Sequence, residues 1–141
     1  MTAGLDRLRQ IVAGERPPPG TAVLLGMRML SADEGRVTFG LEPGPQHTNP
    51  DGIVHGGILA TLLDSCMTCS VLSRLPEGRV ATTLELSVRY LRAVQPDGRL
   101  VRAEGTAVTV GSRVATAEGR LTDADGRLCA TAATTCLVID T

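Results

Sequence analysis

Aromatic side chains and lysines are what this 141-residue sequence has least of. It contains one Tyr, one Phe and no Trp, and all 14 of its basic residues are Arg. Without Lys, the chain cannot use Schiff-base chemistry or the phosphate-binding lysine of a P-loop. The 14 basic residues are balanced by 15 acidic ones, with no polybasic block. Neither nucleic acid nor an anionic membrane surface is therefore an expected partner.

The sequence also lacks a recognisable targeting segment. Its first ten residues, MTAGLDRLRQ, interleave charges with leucines, so we expect no secretory signal. The apolar run at 56–73 could span a bilayer by length, but its Thr, Ser, Gly and Asp content favours a buried helix. We expect a cytoplasmic protein of one domain, which at this length would bury about two thirds of its unfolded surface.

The four cysteines do not form a pattern typical of a metal site. Cys66 and Cys69 have the spacing of a redox pair or half a zinc site, whereas Cys129 and Cys136 lie seven apart on a predicted strand. That odd separation predicts opposite faces of the strand. We therefore expect no metal site, and interpret all four as small buried hydrophobic residues.

The chain divides into an N-terminal segment and one larger domain. In residues 1–20, apolar positions at helical spacing predict a short helix, and GERPPPG predicts a linker. From Ala22 to Leu41 the pattern is typical of two strands joined by a turn at ADEG, 32–35. The segment EPGPQHTNPDG then predicts a loop. We assign 21–141 to the main domain.

A long apolar helix and four later strands follow this loop. The helix is predicted at about 56–73, and the clearest strand is Leu84–Tyr90, where alternating apolar residues indicate a half-buried strand. Three more strands are predicted at about 100–109, 114–122 and 128–139, and the short turns at 95–98, 110–113 and 123–126 favour an antiparallel meander through all four strands. The fold class is α+β, with the sheet around the helix.

Asp64 is the only charged residue between Gly56 and Ser73. Burial of an unpaired carboxylate is costly, so it needs either partners or a chemical role. Gly56 and Gly57 at the predicted helix start would expose backbone N–H groups at the positive end of the helix dipole, where an oxyanion is stabilised. Asp64 lies about 12 Å further along the helix. The two features could meet only across a two-fold axis between two subunits.

The sequence resembles the hotdog-fold acyl-CoA thioesterases, in particular their phenylacetate-degradation (PaaI-like) branch. The resemblance rests on NPDGIVHGG followed by Asp64, and on TLELSVRYLRA at 83–93. It covers the chain from about Ala22 onwards. It implies a hotdog fold, an antiparallel β-sheet wrapped around one long central helix, and a homodimer or a dimer of dimers.

The resemblance also implies roles for individual residues. Asp64 would be the catalytic carboxylate, acting as general base or nucleophile. Gly56, helped by Gly57, would polarise the thioester carbonyl, and Asn49 would orient the water or the thioester. Thr83 would hold the water near the acid, and His55 would brace the loop. Basic residues that could meet the coenzyme A phosphates are Arg113, Arg89 and Arg92, of which Arg113 is the first choice.

Each of these residues taken alone has an ordinary structural interpretation. A lone Asp in a helix usually pairs with Arg or a backbone N–H, and each arginine could simply be a solvated surface residue. Their joint spacing favours a catalytic site, and the resemblance implies hydrolysis of an acyl-CoA thioester to a free carboxylic acid and CoA, without a metal or redox cofactor, coenzyme A being part of the substrate. One alternative is a hotdog module that binds acyl thioesters without cleaving them. The other is an enoyl-CoA hydratase, although no His follows Asp64 on the helix.

Overall fold

The computed structural model describes all 141 residues as three helices and a six-stranded antiparallel sheet. The helices are α1 (Ala3–Val12), α2 (Gly20–Leu25) and α3 (Gly56–Leu72), and a single 3₁₀ turn covers Pro45–His47. The strands are β1 (Arg28–Asp33), β2 (Arg36–Leu41), β3 (Arg79–Tyr90), β4 (Val101–Val110), β5 (Val114–Thr122) and β6 (Leu128–Asp140). The sheet curves around α3, which is the hotdog arrangement expected from the sequence.

The strand order is β1-β2-β4-β5-β6-β3. Strands β4, β5 and β6 form a meander, but β3 pairs with β6 at the edge of the sheet and not with β4. The expectation of a meander through all four later strands was therefore wrong. Because β3 follows α3, the connection through the helix carries the chain from one side of the sheet to the opposite edge.

Two short segments differ from the sequence-based prediction. Gly20–Leu25 is a helix and not the start of a strand, and it ends where Gly26 adopts a left-handed φ of 74°. In β3, the pairing with β6 slips between Thr83 and Glu85. This bulge turns Leu84 outward, where 59% of its surface is exposed, although the simple alternation had placed it on the buried face.

The N-terminal helix α1 packs on the same core as the rest of the chain. Thr2 caps it by accepting the Leu5 N–H at 3.1 Å, and Leu5 and Leu8 are buried. Gly4 lies directly against the end of α3, where a Cβ atom would be 1.8 Å from the Leu72 carbonyl oxygen. The predicted helix is confirmed, and its docking needs this glycine.

Helix α3 buries one face against the sheet: eight of its 17 residues are buried, among them Leu62, Leu63 and Cys66. The opposite face is partly accessible, and it contains Asp64. Beneath the helix, Gly105 of β4 and Gly119 of β5 face each other in the sheet. A Cβ atom on Gly105 would be 2.3 Å from the Cys66 carbonyl oxygen, so the helix backbone rests directly on the sheet there.

These two glycines give a matched test of the helix–sheet contact. We expect Gly105→Ala to lower the free energy of unfolding by about 3 kcal/mol, because the new methyl group meets helix backbone that can only move as a unit. Gly119→Ala should cost less than about 1 kcal/mol, because its Cβ would meet the flexible ends of Leu63 and Met67 at 3.1 Å. Urea denaturation of both variants measures the difference, and equal losses would contradict this account.

Candidate functional site

The start of α3 presents one backbone donor without a partner. His55 caps the helix, with its Nδ1 atom accepting the Gly57 N–H at 2.8 Å. The His55 carbonyl accepts the Ile58 N–H at 3.0 Å. The Gly56 N–H donates to no group of this chain. Of the two glycines predicted to polarise a carbonyl, only Gly56 therefore has a free N–H in this conformation.

Asn49 is fixed by the loop that leads into the helix. Its Oδ1 atom accepts the backbone N–H groups of Asp51 at 3.0 Å and Ile53 at 3.3 Å. This turn is closed by Gly52, whose φ of 81° favours glycine. With Oδ1 occupied, the Nδ2 amide is the part of Asn49 that remains available as a donor, because it has no partner within the chain.

Sequence reasoning left His47 without a role, and it proves to be the residue that braces this loop. The side chain is buried, Nδ1 accepts the Gly44 N–H at 3.0 Å, and Nε2 lies 2.7 Å from the Leu25 carbonyl oxygen. With Nδ1 accepting, the ring carries its proton on Nε2 and donates it to Leu25. Both ring nitrogens are thus used structurally.

Asn49 and Gly56 line the same cleft, of about 350 Å³. Seven of its ten lining residues are hydrophobic, among them Leu59 and Leu91. Depressions of similar volume beside α1 and on the outer sheet face have few hydrophobic lining residues, three of 13 and two of eight. A largely apolar cleft with a few polar groups at one end is the usual form of a small-molecule site.

Tyr90 forms a wall of this cleft and was not singled out by the sequence analysis. Its hydroxyl donates to the Gly56 carbonyl oxygen at 2.5 Å. A Cβ atom on Gly56 would lie 3.1 Å from the Tyr90 ring carbon Cζ. The signal that could have found it is that it is the only Tyr of the chain and lies within the TLELSVRYLRA segment.

Asp64 has hydroxyl partners and no cation. Thr83 donates to its Oδ1 atom at 2.7 Å, and Thr68, one turn further along α3, donates to the same oxygen at 3.3 Å. No hydrogen bond or ion pair reaches Oδ2. Thr83 thus lies beside the acid as expected, while Thr68 was missed although its i+4 spacing from Asp64 could have indicated it. The Arg partner that a purely structural role would favour is absent.

The acid and the cleft lie apart within one chain. Asp64 and Thr83 do not line the cleft of Asn49 and Gly56. Eight residues of helix separate Gly56 from Asp64, about 12 Å at 1.5 Å per residue. One chain therefore carries two candidate half-sites: an apolar cleft with amide donors, and a carboxylate held by two hydroxyl groups.

The three candidate arginines are all exposed and are not brought together. Arg92 lines the cleft. Arg89 lies on the outer sheet face near Glu118 and Arg120, and Arg113 lies in the turn between β4 and β5. Only Arg92 is thus close to the amide half-site of its own chain.

Comparison with known proteins identifies the family. The sequence model described as the thioesterase superfamily matches residues 51–130. This chain belongs to the thioesterase superfamily. The matched segment contains Gly56, Asp64 and Thr83, and so covers both half-sites apart from Asn49.

Solved and curated relatives agree with this membership. A phenylacetic acid degradation-related protein from Ralstonia eutropha is 31% identical, with a TM-score of 0.82 over 92% of this chain and 98% of its own. The smu.793 protein of Streptococcus mutans, solved with acetyl-CoA bound, is 26% identical, with a TM-score of 0.74 over 82% and 90%. Human acyl-coenzyme A thioesterase 13 is 27% identical over 64% of this chain and 65% of its own length. The hotdog fold and the PaaI-like resemblance are confirmed.

Three of the four cysteines are buried as predicted and Cys69 is partly buried, but the expected placement of Cys129 and Cys136 on opposite faces of the strand was wrong. Cys129 and Cys136 are both fully buried, because the pairing of β5 with β6 shifts next to Cys129 and cancels the odd separation. No three His, Cys, Asp or Glu side chains are grouped to hold a metal ion. Burial raises the pKa of Cys66, and raises that of Cys69 to about 12.

We expect the thiols of the folded protein to react slowly with alkylating reagents. A raised pKa means less thiolate at a given pH, and for Cys69 at pH 8 the reactive fraction falls about 10³-fold relative to a free thiol. Iodoacetamide at pH 8, followed by mass spectrometry, should leave Cys66 and Cys69 unmodified in the folded protein and should modify both in guanidinium. Rapid labelling of Cys66 in the folded protein would contradict its burial, and rapid labelling of Cys69 would contradict its raised pKa.

Proposed function

We propose that this protein hydrolyses an acyl-CoA thioester to a free carboxylic acid and coenzyme A. The observation that carries the proposal is the pair of half-sites: an unpartnered Gly56 N–H beside Asn49 in an apolar cleft, and an Asp64 carboxylate with one free oxygen. Membership of the thioesterase superfamily supports the reaction class. The acetyl-CoA bound by the Streptococcus mutans neighbour supports the substrate class.

In the proposed mechanism, each group acts on a defined part of the reaction. The Gly56 N–H stabilises the negative charge that develops on the thioester oxygen, a contribution typically of about 3–4 kcal/mol per donor. Asp64 takes a proton from water through Oδ2 while the water oxygen bonds to the carbonyl carbon. Collapse of the tetrahedral intermediate breaks the C–S bond, and the proton passes to the thiolate. Direct attack by Asp64, followed by hydrolysis of the anhydride, is the alternative route.

The hydroxyl groups around Asp64 fit this role. Both Thr83 and Thr68 donate to Oδ1, so the carboxylate is oriented and Oδ2 stays open to accept a proton. Asn49 reaches the other half-site with its free Nδ2 amide, where it can bind the thioester oxygen or the water. His55 contributes indirectly, because it caps the helix whose first N–H, that of Gly56, is the donor.

The two half-sites come together, we propose, across a two-fold axis between two copies of the chain. Strand β3 has 12 residues and pairs only with β6, so its other edge has unpaired backbone groups. A long uncovered edge is normally paired or protected. Isologous pairing of two β3 edges would set each cleft against the Asp64 of the other copy. A dimer of dimers is compatible with the same site.

Recognition of coenzyme A is assigned to exposed arginines, with Arg92 the first choice because it lines the cleft. Arg89 and Arg113 remain candidates for phosphates reached from the other subunit.

The proposed reaction needs no metal or redox cofactor, and coenzyme A is part of the substrate and is released as a product. None of the helices is long and apolar enough to cross a bilayer. All four cysteines are free thiols, as a reducing compartment would keep them, and on this ground we propose a cytoplasmic location.

A binding module without turnover is the second candidate function. The apolar cleft alone would serve such a module, and the intact acid with its two hydroxyl partners is the observation that favours hydrolysis over it. An enoyl-CoA hydratase is disfavoured because no His follows Asp64 on α3. Release of free thiol from short, medium, long and aryl CoA thioesters separates hydrolysis from binding, because binding alone gives no turnover.

We expect Asp64→Asn to fold, to remain oligomeric, and to turn over at least about 10²-fold more slowly, because the substitution removes the base and keeps the side chain's size. The matched control is Asp33→Asn, which removes a carboxylate whose side chain is 71% exposed. Thiol release from the CoA thioester panel, with circular dichroism as the folding check, tests both variants. An active Asp64→Asn protein would overturn the role of the acid, and an unfolded one would favour a structural role.

Mixed dimers test whether the site is shared. Asp64→Asn and Asn49→Ala chains, co-expressed with different tags and purified over both, form dimers that contain one copy of each. If the site spans two copies, one of the two sites has both native residues, and activity should return to about half of the native level. If each site lies within one chain, the mixed dimers will be as inactive as the parent variants.

A further inference from the structure

We propose that Tyr90 is a positioning residue for this reaction. Its hydroxyl, together with the imidazole of His55, clamps the peptide that follows the Gly56 N–H, so that rotation about the two backbone bonds of Gly56 is restricted and this N–H keeps one orientation at the cleft wall. The inference rests on the proposed hydrolysis. Tyr90 is not among the site residues that the family resemblance implied.

Both polar atoms of the Gly56–Gly57 peptide are bound by side chains. The carbonyl oxygen of Gly56 accepts the Tyr90 hydroxyl at 2.5 Å, and the N–H of Gly57 donates to His55 Nδ1 at 2.8 Å. Two consecutive glycines have more backbone freedom than any other pair. The Gly56 N–H belongs to the preceding peptide, whose direction relative to the held one is set by the φ and ψ angles of Gly56. Holding the Gly56–Gly57 peptide at both polar atoms therefore limits the directions in which that N–H can point.

The Tyr90 ring restricts the same glycine from another side. Its Cζ atom would lie 3.1 Å from a Cβ on Gly56, and the ring lines the cleft with Leu59 and Arg92. Gly56 therefore packs against the ring without space for a side chain. Because Tyr90 ends β3 while Gly56 begins α3, the contact fixes the start of the helix relative to the sheet edge.

The hydrogen bond from Tyr90 to Gly56 adds little to the stability of the fold. Tyr90 is 49% exposed, so its hydroxyl could donate to water instead, and the net gain in stability is only about 1 kcal/mol. The orientation of an oxyanion donor matters more for the reaction, because a misplaced N–H stabilises the transition state less and the rate of hydrolysis falls. Partial burial raises the pKa of Tyr90, which keeps the phenol protonated and able to donate through the neutral pH range.

Tyr90→Phe removes the hydroxyl and keeps the ring. Its matched control is Thr134→Val, which removes a hydroxyl that donates to the Glu85 carbonyl oxygen at 2.8 Å on β6, away from the cleft. We expect Tyr90→Phe to lower kcat about tenfold with KM within about twofold of native, less than the loss of an oxyanion donor itself. Thr134→Val should lower thermal stability and leave kcat within about twofold. Equal kcat in Tyr90→Phe and the native protein would overturn the proposal.

Amide hydrogen exchange gives a readout that does not depend on turnover. In the substrate-free protein, the Gly57 amide should exchange at least about fivefold faster in Tyr90→Phe than in the native protein, and at the native rate in Thr134→Val. Unchanged exchange in Tyr90→Phe would overturn the clamp. If the native protein cleaved no thioester, both the proposed function and the catalytic role of Tyr90 would be overturned. If turnover depended on Asp64 but was unchanged in Tyr90→Phe, only the role of Tyr90 would be overturned.

Discussion

The direct contact of the α3 backbone with the sheet at Gly105 is the constraint on which the rest of the structure depends. Because no side chain separates Cys66 from Gly105, the position of the helix is set by backbone atoms at both surfaces. The same helix begins with the Gly56 donor and carries Asp64 two turns later. Any shift of the helix on the sheet would move both functional groups together, so packing and chemistry are linked through one rigid element.

Local patterns were sufficient to predict the elements of the fold but not all of its topology. Helix α3 could be located because its apolar run begins at a glycine pair and has a single charge. The position of β3 at the edge of the sheet could not be predicted in the same way. Alternation of apolar and polar residues predicts a strand but not the strand with which it pairs. The bulge at Leu84 and the shift next to Cys129 were also missed, because an inserted residue changes the face of a side chain without changing the composition.

The candidate site shows the same division between local and distant information. The turn at Asn49, the cap by His55 and the partnership of Thr68 with Asp64 all join residues no more than four positions apart in sequence, so spacing rules can reach them. Tyr90 and Gly56 are 34 positions apart, and Leu25 and His47 are 22 apart. Contacts of that length depend on how separate elements are placed in the whole fold, here α3 beside β3 and the 3₁₀ turn beside the end of α2, which no single motif contains.

The separation of the two half-sites on one helix also limits how a complete site can form. A helix fixed by a backbone contact at Gly105 cannot bend to bring Asp64 back to its own N-terminus about 12 Å away. Loop closure within the chain would have to move Asn49, which is held by its own turn and by the buried His47. The proposed second copy would need neither movement, since a two-fold axis would bring a preformed acid to a preformed cleft. In the proposed enzyme, the site is therefore completed by assembly of two copies and not by closure of a mobile lid.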